Sequence, residues 1–465
     1  MNSPKPFRLV ICGGGASAVL LVHALAKHAT APIDVTIVER RPDAGLGRAY
    51  STRSDVHFLN VCTANISADK EDSGNFLNWL NRGAPEGAAW QADAFAPRSV
   101  YGAYLKNLLR EASNSPLLHI TERHAEVVSV EGSASQWHAT LADGEDVAGD
   151  AIVIATGNEA PAPIVTPGAD AVRPSIINDP WDVEAKAQIA PDDDVLLLGT
   201  GLTAVDIVAD LVVGGHKGKI IAVSRHALLP ATHDVMIPAP AWIEPPFPGP
   251  RELLKRVLAK ARAAGPHWQA IFDALRPFNQ QIWQNWPDAE KRRFLRHAKT
   301  YWNTRRHRIP PVTAGRMNAA IARGQLELVK GRLRQLTPLR GGGLRVSTSH
   351  AGHSRSFDVR WLVSCTEPNP NPARSTNPLI SGLVASGLAR PGTLGLGLDV
   401  SGDARLVGRD GDLHKGLFAM GPLTIGRFWE VVAIPEIRVQ ADALAREFAA
   451  MAGDLAEAAM TPRSS

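Results

Sequence analysis

Cysteine is nearly missing from this chain. Its 465 residues include 3, Cys12, Cys62 and Cys365, far apart and without a Cys-x-x-Cys spacing. That pattern excludes a cysteine-built zinc site and a redox-active disulfide pair, so no metal is expected and the compartment should be reducing. Long apolar runs are missing too. None approaches the roughly 18 residues of a membrane span, and the opening MNSPKP has no signal-peptide core. The expectation is a cytoplasmic protein with no membrane partner. Nor is there a strong excess of one charge. The net value of +4 is small for this length and gives no reason to expect nucleic acid as a partner. Apolar residues at 45 % and charged ones at 21 % are ordinary for a globular chain. The length exceeds the roughly 250–300 residues that one core supports, so two or three domains are expected.

What is present begins at residues 7–40, FRLVICGGGASAVLLVHALAKHATAPIDVTIVER. An apolar run (Leu9, Val10, Ile11, Cys12) meets a glycine turn. A helical stripe (Val19, Leu21, Val22, Leu25) and a second apolar run ending on Glu39 follow. This is the strand, turn, helix, strand and acid of a dinucleotide site. Gly13 makes the tight turn, Gly15 lets a pyrophosphate approach the backbone, and Ala18 lets helix and strand pack closely. The helix N-terminus offers free N–H groups and a partial positive charge to the phosphates. Glu39, 26 residues after Gly13, stands where a ribose hydroxyl needs an acceptor. Gly13, Gly14, Gly15, Ala16, Ser17, Ala18, Glu39 and Arg40 are the expected cofactor contacts of this stretch.

Residues 43–68 are rich in glycine and polar side chains, and there Asn60 and Asn65 offer amide hydrogen bonds to a cofactor edge or a substrate. For Asn65 a simple turn-forming role weighs at least as much. Helical periodicity over 76–80 and 99–112 covers that site, with Tyr101 and Tyr104 read as packing residues. Alternating apolar residues over 117–155 predict hairpins or a meander around Asp143-Gly144. The run closes on AIVIATGN, whose Thr156-Gly157 loop suits contact with an adenosine or pyrophosphate.

The decisive feature is an internal repeat. Residues 194–211, DVLLLGTGLTAVDIVADL, repeat strand, turn and helix with Gly199-x-Gly201-x-x-Ala204, and Thr203 lies inside the turn. The next strand places Arg225 26 residues after Gly199, the offset that separates Gly13 from Glu39. Here Ser224-Arg225 replaces the acid. An acid repels a 2′-phosphate, whereas a hydroxyl and a guanidinium accept one, so the second site favours NADPH, with NADH left open. Two fingerprints mean two dinucleotides, FAD in the first and a nicotinamide in the second. Simple dehydrogenases, which need one, are excluded.

Residues 238–324 form the least regular part. A proline-rich opening precedes three amphipathic helical segments, over 251–265, 267–286 and 288–302, and five of the chain's eleven tryptophans fall here. Between positions 251 and 309 there are 14 Lys and Arg against 4 Asp and Glu, a local +10 against −6 elsewhere. For most of these charges a solvated helical face is the plain reading. The sharper one is a helical lid whose field draws in an anionic cofactor or substrate. Strands return after Gln325. WLVSCTEP (361–368) stands where a second strand-to-Ala-Thr-Gly turn is expected, with Glu367 in the glycine's place, and is read as the crossing back to the first domain. Residues 416–451 predict a strand, a Gly421-Pro422 loop and a long helix near Ile434, with Pro435 and Glu436 suited to its first turn.

Taken with Gly13–Ala18, the segments GRAYSTRSDVHFLNV, FAPRSVYGAYL, NDPW, AVSRHALLP and MGPLTIGRFWEVVAIPEIR resemble a bacterial FAD/NAD(P)-binding family. That family includes FAD-dependent urate hydroxylases and L-asparagine N-monooxygenase-like flavoproteins. The resemblance covers nearly the whole chain. It implies an α/β fold of two Rossmann-type domains, glutathione-reductase-like, with a discontinuous FAD domain (1–190 and 346–465), a nicotinamide domain (191–345) and a helical insertion at about 238–324. It implies a monooxygenase: NAD(P)H reduces FAD, O2 forms a C4a-(hydro)peroxyflavin, and one oxygen passes to a small nitrogen-rich substrate, urate or an amino acid or amine. Asn60 is then the expected catalytic partner, Gly421, Pro422 and Ile434 approach the flavin, and the last helix aims at its N1–C2=O edge. The alternative is an oxidoreductase passing electrons to a quinone, a ferredoxin or another acceptor. A non-catalytic flavin-binding protein is a third reading. Homo-oligomerisation is left open.

Overall fold

In the computed structural model, which describes residues 5–85, 87–133, 136–234 and 241–460, each glycine turn opens a parallel sheet. The strand Phe7–Cys12 lies between Ile33–Glu39 and Ala151–Ile154, all parallel and in register. Leu118–His124 extends one edge of this first sheet, and Leu413–Ala419 with Arg405–Val407 extends the other. Helices Ala16–His28, Arg98–Ala112 and Ile434–Met460 cover one face, packed on Leu9, Ile11 and Val35, with Phe448 of the last helix in the same core. A near-continuous apolar strand such as this one is what a sheet buried on both faces requires. The other face is closed by an antiparallel three-stranded sheet, Val127–Ser133, Gln136–Leu141 and Asp146–Gly149. That is the meander predicted from the alternation. It is bracketed by two strands, Leu118–His124 and Ala151–Ile154, that belong to the parallel sheet.

The second sheet repeats the arrangement with five strands. Val195–Leu198 lies between Ile220–Ser224 and Trp361–Ser364, and Leu326–Lys330 and Ile176–Ile177 form the edges, all parallel. Ile176–Ile177 and Trp361–Ser364 thus lie outside the limits expected at 191 and 345, so the second sheet starts earlier and ends later in the chain. The cause is an antiparallel hairpin sheet, Arg332–Pro338, Leu344–His350 and His353–Val359. It sits between the fourth strand and the last, and it postpones the return to the first sheet until after Ser364. A two-residue strand such as Ile176–Ile177 carries too little periodicity to be read in advance.

The insert is helical, as expected, but cut more finely. Its helices are Pro250–Ala264, Trp268–Asp273, Asn279–Asn285, Asp288–His297 and Lys299–Arg306. Pro277 breaks the second predicted segment, because proline lacks the N–H a helix interior needs, and the third segment breaks at Ala298. Helix Pro311–Ala322, counted with the insert from sequence, belongs instead to the second sheet, whose core takes Ala314, Met317 and Ala320. Residues 238–240 of the proline-rich opening lie outside the described residues. Among the described residues no helix is long and apolar enough to cross a membrane.

Tryptophan builds the core of the insert. Trp283, Trp286, Phe272 and Phe294 pack with Trp429 and Leu396, which come from the C-terminal segment of the chain. Trp283 and Trp429 stack at 4.3 Å between ring centroids.

Candidate functional site

The first turn is shaped by contacts that only glycine tolerates. Gly13 has φ +111°, and a Cβ there would lie 2.5 Å from the Ala155 carbonyl oxygen. Its N–H donates to Val38 O at 2.8 Å. Gly14 N–H donates to Glu39 Oε2 at 2.8 Å, and Arg41 N–H donates to Glu39 Oε1 at 3.0 Å. The carboxylate is thereby held at the strand end by two backbone donors, with lone pairs left for hydroxyl donors. Gly15 is the N-cap of Ala16–His28, and its open side faces a cleft of about 310 Å³. The cleft runs past Ser17, Glu39, Arg40, Thr156 and Gly157 to Pro422 and Ile434. A smaller annex of about 70 Å³ continues it beside Gly13, Glu39, Arg40 and Thr156. The first-site residues expected from sequence therefore converge. Ala18, fully buried, contributes packing, and Gly421 packs on Ser17, where a Cβ would lie 2.7 Å from its hydroxyl.

Two observations fit this cleft to a dinucleotide. Thr156 Oγ1 is buried with no hydrogen-bond partner among the described residues. Arg41, half-buried, makes no ion pair there, and burial and then the neighbouring Arg48 and Arg40 lower its pKa against the pull of Glu39. An orphan hydroxyl and crowded guanidiniums suit an anionic, hydroxyl-rich ligand.

The second turn copies the first. Gly199 has φ +130°, donates to Val223 O at 2.8 Å, and would bring a Cβ within 2.3 Å of Cys365 O. Gly201 caps helix Leu202–Val213 and has open space where a side chain would stand, and Ala204 is buried. Thr203, in the first turn of that helix, lines the first cleft. The Ser224 hydroxyl is engaged by Thr200 Oγ1 at 2.9 Å and accepts from Ala227 N–H at 2.9 Å. In this arrangement the hydroxyl shapes the turn. Arg225 is exposed and makes no ion pair among the described residues. Beside it the His226 pKa is lowered by burial and by Arg225, Lys330, Arg332 and His350, a concentration of positive charge.

Asn60 lies elsewhere, on a cavity of about 660 Å³ between the 60–65 segment and the insert. Ile434 and Ile437 line the cleft while Pro435 and Arg438 line this cavity, so the first turn of helix Ile434–Met460 separates the two. The residues that sequence reasoning missed are here. His233 Nε2 lies 2.9 Å from the Asn60 carbonyl oxygen, and burial, with Arg308 nearby, brings its pKa down to about 4. It is therefore a neutral ring at pH 7, donating from Nε2. Arg308, 5 % exposed, donates to Gln269 Oε1 at 2.5 Å and pairs with Asp273, yet its Nε has no partner. Arg438 donates to Ser67 O at 2.7 Å, makes no ion pair among the described residues, and also has an unpartnered buried Nε. No spacing in the sequence links positions 60, 233, 308 and 438. Asn65, also expected here, lines the same cavity.

Residues 10–159 match a family model described as FAD-NAD(P)-binding. A comparison with curated protein sequences finds no match. Solved structures resemble nearly the whole chain. The ornithine N-hydroxylase of Kutzneria sp. 744 superposes with a TM-score of 0.65 at 16% identity, covering 96% of this chain and 99% of that one. The cadaverine monooxygenase of Erwinia amylovora gives 0.63 at 13%, covering 96% and 94%. The L-lysine 6-monooxygenase of Pseudomonas syringae gives 0.59 at 17%, covering 98% and 100%. The chain has an α/β fold of two Rossmann-type domains.

In these terms two sets of contacts join its parts. Between the nucleotide domains, Asp206 pairs with Arg98 at 2.8 Å, while Asp210 meets His57 at 3.0 Å and Ser54 Oγ at 2.6 Å; Lys186, from the same domain as Asp210, also reaches it at 3.1 Å. Burial raises the Asp206 pKa. For Asp210 the same burial is outweighed by His57, Ser54 and Lys186, which bring it down to about 2. Between the insert and the first domain stands Glu430, 4 % exposed and at φ +66°. It accepts from Trp302 Nε1 at 2.6 Å, Asn279 Nδ2 at 2.7 Å and Arg306 Nε at 3.2 Å. Glu436, expected to serve its helix's dipole, also takes a bidentate Arg276 at 2.7 and 3.1 Å. Glu367, the departure from the usual glycine, holds Lys299 and accepts from Asn303 at 3.2 Å. Burial pushes the Cys12 thiol up to about 12, and the Cys62 and Cys365 thiols upward as well, so none offers a thiolate at pH 7.

Proposed function

We propose that this chain is an FAD-dependent monooxygenase that uses NADPH and O2 to hydroxylate the nitrogen of a small amine or amino acid. The overall reaction is RNH2 + O2 + NADPH + H+ → RNHOH + H2O + NADP+. The observation that carries this reading is a cleft lined by the first glycine turn and by Thr203 of the second stretch, together with a separate cavity of about 660 Å³ behind the helix that begins at Ile434. FAD, when bound, supplies the redox chemistry and the activation of oxygen. Gly13 to Ser17, with Thr156, would hold its pyrophosphate side, and Glu39 its ribose. Gly199, Gly201 and Thr203 would hold the nicotinamide dinucleotide, with Arg225 at the 2′-phosphate. The domain division that follows runs from the N-terminus to about 160 and from about 367 onward for FAD, with the second domain between.

In the substrate cavity the chain orients and desolvates. Arg438 Nε and Arg308 Nε are buried donors lacking an acceptor, so a ligand carboxylate or carbonyl completes their hydrogen bonds. The His233 ring, neutral and bonded to the Asn60 backbone, fixes that segment at the cavity, where the Asn60 amide would serve as a hydrogen-bond partner for the ligand. A neutral imidazole and unpaired guanidinium beside the site favour an uncharged amine over an ammonium, and the uncharged form is the nucleophile. The experiment is substrate-stimulated NADPH oxidation in air, screened over primary amines, amino acids and urate. Hydroxylamine product in step with NADPH consumed supports the reading. Reduction of a quinone or ferredoxin, undiminished without O2 and with no hydroxylated product, overturns it in favour of electron transfer.

A further inference from the structure

The helical insert encloses a second cavity, of about 350 Å³, that shares no lining residue with the cofactor cleft or with the cavity at Asn60. Its walls are Val257, Trp283, Trp286, Phe294 and Trp302, and its floor is Trp429. An apolar cavity of this kind stays dry and accepts apolar ligands; one of about 150 Å³ already holds benzene. Unfilled, its lining forgoes the dispersion contacts of a packed interior.

The mouth of the cavity is apolar, with Arg305 in its lining and further cations on the helix beside it. Leu254, Leu258 and Tyr301 line it and are 47%, 38% and 45% exposed. Leu254 and Leu258 are one turn apart on helix Pro250–Ala264, and Tyr301 stands opposite on Lys299–Arg306. Arg251, Lys255 and Arg262 extend the same stripe of the first helix at three- and four-residue steps. Arg305 follows Tyr301 by one turn and lines the cavity itself. None of these four cations makes an ion pair among the described residues, although their neighbour Arg256 pairs with Glu252. A dry chain-sized pocket with unneutralised cations beside it has the charge and polarity pattern of a single-chain amphiphile with an anionic head. The solvated-face reading of the basic helices accounts for the charges but not for the exposed leucines between them.

We propose that the insert carries a binding site for an alkyl carboxylate, with the chain among Trp283, Trp286 and Trp302 and the head group at Arg305 and Lys255. The site communicates with the rest of the molecule through its inner wall. Asn279 and Trp302 line the cavity, and both donate to Glu430, four residues before the helix that divides the cleft from the substrate cavity. The proposal stands independently of the reaction assigned above.

Decanoate below its micelle concentration is titrated into the purified full-length flavoprotein, with tryptophan fluorescence and calorimetry as readouts. The expected result is saturable quenching with one ligand per chain. Arg305→Glu with Lys255→Glu, two surface changes that leave the core untouched, should weaken decanoate about tenfold while leaving decanol unchanged. Ala298→Trp, which fills the cavity, should abolish both at an unaltered flavin-to-protein ratio. Any of four results would overturn the proposal: no saturable binding, equal and charge-insensitive affinity for decanoate and decanol, binding to anionic vesicles alone, or a dimer in solution that buries Leu258.

Discussion

Glu430→Ala tests how the insert is held. Glu430 is buried, and its carboxylate takes three donors, all of them from the insert. Deleting one partner of a buried ion pair costs about 3–5 kcal/mol, because the other charge is left without compensation. Here Arg306 keeps a second carboxylate, Glu436 at 3.6 Å, which places the expected loss near the lower bound, about 3 kcal/mol. The positive φ adds a contrast. Alanine at φ +66° keeps the backbone strain, while Glu430→Gly releases about 1 kcal/mol of it and should lose correspondingly less. Glu430→Gln is no conservative control, since its amide would set N–H donors against the donors of Trp302, Asn279 and Arg306. The assay is denaturant unfolding followed by tryptophan fluorescence, which reports the Trp283, Trp302 and Trp429 cluster, with limited proteolysis between 241 and 309. Arg306→Met combined with Glu430→Ala should cost clearly less than the sum of the two single changes. An alanine variant within about 0.5 kcal/mol of the parent, or strict additivity in the double variant, would refute the account. The pH dependence has a definite sign. Burial would raise the Glu430 pKa, but Arg306, His307, Trp302 and Asn279 hold it below the ordinary glutamate range. Its contribution is therefore present above that range and disappears as pH falls through the depressed value, and Glu430→Ala should remove this acid sensitivity.

Four further outcomes are expected. Gly13→Ala should yield protein with little bound flavin, read as the ratio of flavin to protein absorbance, because its Cβ would meet Ala155 O at 2.5 Å in a left-handed conformation. Arg225→Ala should raise the KM for NADPH about 10- to 100-fold by removing a charged hydrogen bond, with kcat and the KM for NADH nearly unchanged. Asp210, with its pKa brought down to about 2, contributes about 2 kcal/mol to the interdomain clasp above the ordinary carboxylate range. That contribution should fade between about pH 4 and pH 2, and Asp210→Asn should abolish the transition in scattering or exchange experiments. Arg438→Met should raise the KM of a carboxylate-bearing substrate about tenfold while leaving flavin content and NADPH affinity intact.

Both nucleotide turns were legible because their signals are local. Gly13 and Gly199 each follow an apolar strand and precede a helix, and the backbone conformation each requires is written in a few adjacent residues. The equal 26-residue offsets carried the comparison of Glu39 with Arg225, and the structure sets both at strand ends. The surroundings of Ser224 were not legible, for the opposite reason. Its hydroxyl is taken by Thr200 and Ala227, a hydrogen-bond competition that residue type cannot reveal. Pairing, not pattern, assigns Ile176–Ile177 and Trp361–Ser364 to the second sheet.

The sequence by itself determined the repeated strand, turn and helix, the helical character of the insert, and the absence of a paired-cysteine centre. All of these depend on periodicity, glycine sterics and composition, which act over a few residues. Only the tertiary structure decided where the insert packs and what it encloses. It brings Asn60, His233, Arg308 and Arg438 to one cavity, places Glu430 and Glu367 against Trp302 and Lys299, and encloses an apolar pocket behind exposed leucines. These residues are separated by up to several hundred positions, and their chemistry arises from burial and charge pairing between elements. Such interactions exist only after the two sheets and the insert have packed.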